Sequence, residues 1–137
     1  MKLCSACLLG LKCRYNAASK PDEKVLKLAK DEILIPVCPE QLGGLSTPRK
    51  PAEQQGEKVM TKDSKDVTEN FQRGAQQTLE IAKLYKIKTA ILKQKSPSCG
   101  CGQIYDGTFS GTIIVGDGVT AKLLKENGIE VLSEDDL

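Results

Sequence analysis

The stretch Ile33-Leu34-Ile35-Pro36-Val37-Cys38-Pro39-Glu40 joins an apolar, largely branched run to a cysteine set between two prolines. An apolar run without polar alternation is the pattern of a strand covered on both faces, as in a parallel sheet. The run stops at Pro36-Val37-Cys38-Pro39, so the cysteine stands where strand gives way to loop. The arrangement recurs on either side. Lys2 to Ala6 is a short apolar stretch followed by Cys7, and Thr89 to Leu92 enters the loop Ser96-Pro97-Ser98-Cys99-Gly100-Cys101-Gly102.

Helical periods separate these strands. Val25, Leu26, Leu28 and Ala29 follow Pro21-Asp22 at helical spacing, with Asp22 as the expected cap. Asp66-Val67-Thr68-Glu69 has capping-box spacing, and Val67, Phe71, Ala75, Thr78, Leu79 and Ala82 continue the period. Gly116-Asp117-Gly118 leads into a helix over Val119 to Glu126, closed by Asn127-Gly128 as a left-handed cap. Ile129 to Leu132 is a closing strand. Gln41 to Asp66, polar and broken by glycine and proline, reads as a long surface loop. Ile104 to Phe109 reads as a small hairpin around Asp106-Gly107, and Ser133 to Asp136 as a solvated tail. The order predicts an α/β fold over 1–137 as one domain. Its mostly parallel sheet forms three layers with helices on both faces, and the site lies at the C-terminal strand ends.

Composition narrows the function. Twenty Lys and Arg against eighteen Asp and Glu leave a net charge of +2, which shows no broad basic face for nucleic acid. No apolar run reaches membrane-spanning length, so no membrane partner is expected. Met1-Lys2-Leu3-Cys4 lacks a signal peptide's apolar core, and the expectation is a cytoplasmic protein. In a reducing compartment six cysteines serve metal or redox chemistry more often than disulfides. The chain has no histidine, which removes the usual general base and every His-containing zinc site.

Parallel strands bring Cys7, Cys38 and Cys99 to one edge, although they are up to about ninety positions apart. A convergent thiolate set suits zinc or an iron–sulfur cluster. Cys4, Cys13 and Cys101 are the alternatives for a fourth ligand. Strand alternation would turn Cys4 and Cys7 to opposite faces, and Cys4 is read as a small core residue. Glu40, two residues after Cys38, is a candidate acid or base, its bland alternative being a cap or surface carboxylate. Ser96, three residues before Cys99, is a second polar group beside the thiols, though Ser96-Pro97 by itself is a good turn starter.

Several ordered motifs then carry a resemblance. Ser5-Ala6-Cys7-Leu8-Leu9-Gly10, Cys13-Arg14-Tyr15-Asn16, Val37-Cys38-Pro39-Glu40, Thr47-Pro48-Arg49, Ser96-Pro97-Ser98-Cys99-Gly100 and Asp106-Gly107-Thr108-Phe109-Ser110-Gly111 resemble the bacterial thiouracil desulfidase family, formerly a domain-of-unknown-function family. The resemblance implies a [4Fe-4S] cluster on Cys7, Cys38 and Cys99, with its fourth iron open to a non-protein ligand. It implies proton transfer by Glu40, and hydrogen bonding by Ser96 to the ring or the attacking water. The implied reaction is non-redox hydrolysis of a carbon–sulfur bond in a thiolated pyrimidine such as 4-thiouracil, as free base, nucleoside or modified tRNA. Asn16 stands where the family commonly has aspartate, and Cys4 and Cys101 are extra thiols. The competing class is a non-enzymatic module with a closed zinc or iron–sulfur site, which a fourth cysteine ligand, Cys13 or Cys101, would favour. A thiol redox role for Cys4-Ser5-Ala6-Cys7 ranks last, because the flanks of a redox motif are missing.

Overall fold

The computed structural model describes residues 1–137. In chain order the strands are β1 (Lys2–Ser5), β2 (Leu34–Val37), β3 (Ala52–Gln55), β4 (Lys58–Thr61), β5 (Thr89–Leu92), β6 (Gln103–Tyr105), β7 (Ile113–Val115) and β8 (Glu130–Ser133). The helices are α1 (Glu23–Asp31), α2 (Pro39–Leu42), α3 (Thr68–Leu84) and α4 (Val119–Glu126). Four strands form the main sheet in the order β2-β1-β5-β8, every pair parallel. No helix is long and apolar enough to cross a membrane.

The strand order dictates where the helices lie. The chain moves from β1 to β2 in one direction, then crosses back over β1 to β5 and on to β8. Right-handed crossovers running in opposite directions fall on opposite faces. Accordingly Cys4 and Ile91 pack with Val25 of α1 on one face. Leu3, Ala90 and Leu92 pack with Leu79 and Ala82 of α3 and with Ala121 and Leu124 of α4 on the other. The α/β architecture with helices on both faces is therefore present. Asp22 caps α1 by accepting from the backbone N–H groups of Lys24 and Val25, and α4 spans the expected residues.

Several elements differ from expectation. Leu34–Val37 is the sheet's edge, only partly buried, with Pro36 exposed; proline is tolerated there because one side of an edge strand needs no N–H donor. Within the segment expected as surface loop, β3 and β4 pair across Gly56-Glu57. The positive φ of Gly56 is the one a tight primed turn demands, but the strands Ala52–Gln55 and Lys58–Thr61 are too polar to show alternation. Asp106-Gly107 does not reverse the chain. The partner of β6 is β7, and the intervening loop wraps the buried carboxylate of Glu53, whose Oε1 accepts from Gly107 N at 3.0 Å and Phe109 N at 3.2 Å. Helix α3 starts at Thr68 without a side-chain cap at Val67; Asp66 accepts from Thr68 N one step earlier than a capping box requires. Residues 134–136 are no solvated tail but a 3-10 turn, capped by Ser133 and Asp136, with Glu134 buried.

A glycine pair sets α2, and so Glu40, against the rest of the fold. A Cβ on Gly74 of α3 would lie 1.9 Å from the Pro39 carbonyl oxygen, and one on Gly43 would lie 2.0 Å from the Asn70 carbonyl oxygen. The two backbones touch directly, and Asn70 Nδ2 donates to Gly43 O at 2.9 Å. Within a helix, alanine in place of glycine is worth about 1 kcal/mol, whereas overpacking costs about 1–3 kcal/mol. Here the obstacle is backbone, so the collision dominates. Gly74→Ala is expected to lose about 1–2 kcal/mol in urea unfolding, against its helix propensity. A neutral or stabilised variant would mean that the two backbones part freely.

Candidate active site

The register of the main sheet places Ser5 opposite Val37, Cys4 opposite Ile91 and Leu92 opposite Ser133, so all four strands end at one level. The three loops that leave β1, β2 and β5 surround a cavity of about 390 Å³. Cys7, Cys38, Cys99, Glu40 and Ser96, the five candidates from sequence, all line it. A cavity of this size, with few polar groups aimed inward, is typical of a small-molecule site.

Each thiol arrives by a different device. The chain leaves the extended conformation at Ala6 and forms one 3-10 turn over Ala6–Leu9, so strand alternation does not reach Cys7. Cys4 and Cys7 therefore pack on the same side, with Leu8, Cys13 and Val25, contrary to the expectation of opposite faces. Cys4 is fully enclosed and outside the cavity lining. Cys38 immediately precedes α2, with Pro39 in its first turn. Cys99 sits in a tight loop organised by Ser96, whose Oγ accepts from Ser98 N at 3.1 Å and Cys99 N at 3.0 Å. That loop is tied to the start of α4 by Thr120 N to Ser98 O at 2.8 Å and by the paired hydroxyls of Ser98 and Thr120.

The fourth-ligand alternatives separate cleanly. Cys101 Sγ donates to Val131 O at 3.3 Å and does not line the cavity. Cys13 does line it. Cys38 Sγ donates to the Cys13 carbonyl at 3.7 Å.

Four of the thiols are poorly stabilised as anions. Burial pushes Cys99 up to about 12, partly offset by hydrogen bonding from Ser5. Cys38 is raised further, first by its hydrogen bond with Cys13 and then by burial. Cys13 is pulled down by Cys38, but its contact with Cys7 and its burial leave it raised. Burial likewise takes Cys4 to about 12. Within this pocket a thiolate needs a cation beside it, and a metal centre provides one. No three cysteine or acidic side chains close on a single ion; the thiols stand around a space instead. Soft donors spread around a cavity fit a cluster with its own volume better than one tetrahedral zinc.

Sequence reasoning gave Arg49 no role, and the structure shows what it does. Its side chain is 7% exposed, and the guanidinium donates from Nε to Glu40 Oε1 at 3.1 Å. It also donates from Nη2 to the Cys13 carbonyl at 2.9 Å and from Nη1 to Thr47 Oγ1 at 2.9 Å. One planar fork thus fixes the carboxylate and the Cys13 loop together. The only prior signal was the position of Arg49 in the motif Thr47-Pro48-Arg49. Lys93, Gln94 and Glu53 also line the cavity; nothing in their spacing marked them.

Comparison with known proteins gives the family and the fold. The model of the 2-thiouracil desulfurase family matches residues 3–136. The Bacillus subtilis (strain 168) protein YbbK, described as uncharacterized, is 48% identical over 147 residues, covering 100% of this chain and 97% of YbbK. A solved structure described as the [4Fe-4S]-dependent thiouracil desulfidase TudS superposes with a TM-score of 0.94 at 46% identity, covering 99% of this chain and 91% of that one.

Arg49→Ala removes the partner of Glu40 and leaves the Cys13 carbonyl with only the Cys38 thiol as donor. The expected cost is about 2–3 kcal/mol in urea unfolding, with Arg49→Lys recovering less than half because an ammonium cannot reproduce the fork. A change below about 0.5 kcal/mol would reduce the pair to a solvated contact.

Proposed function

The chain belongs to the 2-thiouracil desulfurase family, and from that premise we propose that it removes sulfur from a thiolated pyrimidine such as 4-thiouracil, giving the oxo base and hydrosulfide. The observation that carries this reading is the meeting of three strand-end thiols with Glu40 and Ser96 on one cavity. Cys7, Cys38 and Cys99 would hold a [4Fe-4S] cluster, the group named in the description of the similar structure. When bound, a cluster with three protein ligands supplies a Lewis-acidic iron that polarises the thione.

The protein's part is to orient substrate and water and to move protons. Arg49 occupies Glu40 Oε1 and leaves Oε2 to accept a proton from water in the cavity. Both backbone donors at Ser96 point into its oxygen, so its hydroxyl proton is left to donate to the ring or to the incoming water. Water oxygen bonds to the ring carbon, the carbon–sulfur bond breaks, and sulfur leaves as hydrosulfide. The water's protons end on Glu40 or on the departing sulfur, so thione plus water balances oxo base plus hydrogen sulfide. No electron is gained or lost.

Arg14, Lys62 and Lys95 line the same cavity, and none forms an ion pair with an acidic side chain. This supports a substrate with a negative group beyond the base, a thiolated nucleotide free or within tRNA, over the bare base. All six cysteines are free, which supports the reducing cytoplasm as the compartment. The position of Cys13 favours one alternative, a closed four-thiol site that carries no substrate.

After anaerobic reconstitution, Cys7→Ala, Cys38→Ala and Cys99→Ala are each expected to lose the brown chromophore, while Cys4→Ala keeps it. A chromophore retained in any of the first three would remove that cysteine from the ligand set. Glu40→Gln is expected to keep the chromophore and lose about 10²-fold or more in turnover of 4-thiouracil; an unchanged rate would exclude Glu40 from proton transfer.

A further inference from the structure

The fourth strand of the main sheet also ends at the level of the site. Ser133 lies opposite Leu92, and the next residue, Glu134, is buried against the segment that leaves β5. Its Oε1 accepts from Gln94 N at 2.7 Å, and its Oε2 pairs with Lys93 Nζ at 2.9 Å. Gln94 passes the restraint on. Its side-chain Oε1 accepts from Cys101 N at 2.7 Å, and its Nε2 donates to Cys101 O at 2.8 Å. A primary amide paired with both the N–H and the C=O of one residue fixes that residue's position and orientation together. Cys101, so held, ends the loop that carries Ser96 and Cys99. The backbone N–H of Lys93 donates to Ser5 Oγ at 2.9 Å, which links the same segment to the end of β1.

We propose that Glu134 is a positioning residue of the site, acting through Gln94 to hold the Ser96–Cys101 loop at the cavity. The inference rests on the desulfidase reading for its catalytic consequence, but its structural content stands apart. Glu134 does not line the cavity, and its 3-10 turn is itself locked by Ser133, whose N–H donates to Asp136 Oδ2 at 2.8 Å. The C-terminal residues thus complete the site from behind. A buried carboxylate is the suitable group here, since it can accept an N–H bond and pair with an ammonium at once.

The test combines hydrogen exchange with kinetics on the full-length protein. Glu134→Ala and Gln94→Ala should each raise amide exchange across residues 95–101 at least ten-fold and leave β1 as in the parent. In the reconstituted enzyme both should lower kcat at least ten-fold, with KM for 4-thiouracil within two-fold. Glu134→Gln keeps an acceptor for Gln94 N–H and should recover to within about three-fold of the parent. Gln94→Ala, which removes the same link from its other end, carries the test if Glu134→Ala fails to fold. Asp135→Asn, on the exposed neighbour, should change nothing. Parental exchange over 95–101, or a rise spread evenly over the whole sheet, would overturn the proposal. A parent protein with no desulfidase activity would count against the functional reading alone, and the exchange data would still decide the role of Glu134.

Discussion

Parallel pairing around β1 is the constraint on which everything else rests. Backbone ladders align Ser5 with Val37, and Leu92 with Ser133, along one edge of the sheet. In a parallel sheet every strand points the same way, so every outgoing loop leaves at that edge. The reversal of direction at β1, with β2 to one side and β5 to the other, parts the outgoing loops and opens a crevice between them. This is the topological switch point where open α/β sheets bind ligands. The cavity straddles the sheet: Cys99 packs with the α3–α4 side and Cys7 with the α1 side.

Around that crevice, polar groups are held by partners on neighbouring loops and helices. Arg49 reaches Glu40 from the loop after α2, the glycine contact between α2 and α3 fixes the backbone beneath it, and α4 anchors the cysteine loop through Thr120. None of the buried side-chain nitrogen or oxygen atoms lacks a partner. The thiols are the exception in kind. They are largely buried and weakly bonded, and burial and neighbouring thiols hold Cys13, Cys38 and Cys99 above the ordinary range, which makes these poor anions and good ligands once a cation is near. A site that satisfies its polar atoms and leaves its sulfurs available is organised for a metal centre.

How much of this was legible in the sequence depends on the type of signal. Burial is periodic, so Val25 to Ala29, Val67 to Ala82 and Val119 to Glu126 declared their helices, and Thr89 to Leu92 declared its strand. The convergence of Cys7, Cys38 and Cys99 followed from strand direction, and their place on one cavity bears it out. Elements stabilised by single long-range bonds were not legible. Glu53 organises the loop after β6 through two N–H groups more than fifty residues away. Glu134 sits in an acidic terminal stretch whose composition reads as solvated, and only the register of β8 turns it inward. Arg49 was visible as a motif position, but its fork to Glu40 and Cys13 is a property of the folded loops alone.

The central claim is that this cavity performs desulfuration. Its most direct test is anaerobic reconstitution with iron and sulfide, followed by incubation with 4-thiouracil and with its phosphorylated nucleoside while the thione absorbance is recorded. The account expects that absorbance to disappear with release of one hydrosulfide per oxo base formed and no consumption of reductant. A fully loaded, stable cluster that leaves the thione absorbance of both compounds unchanged would contradict it.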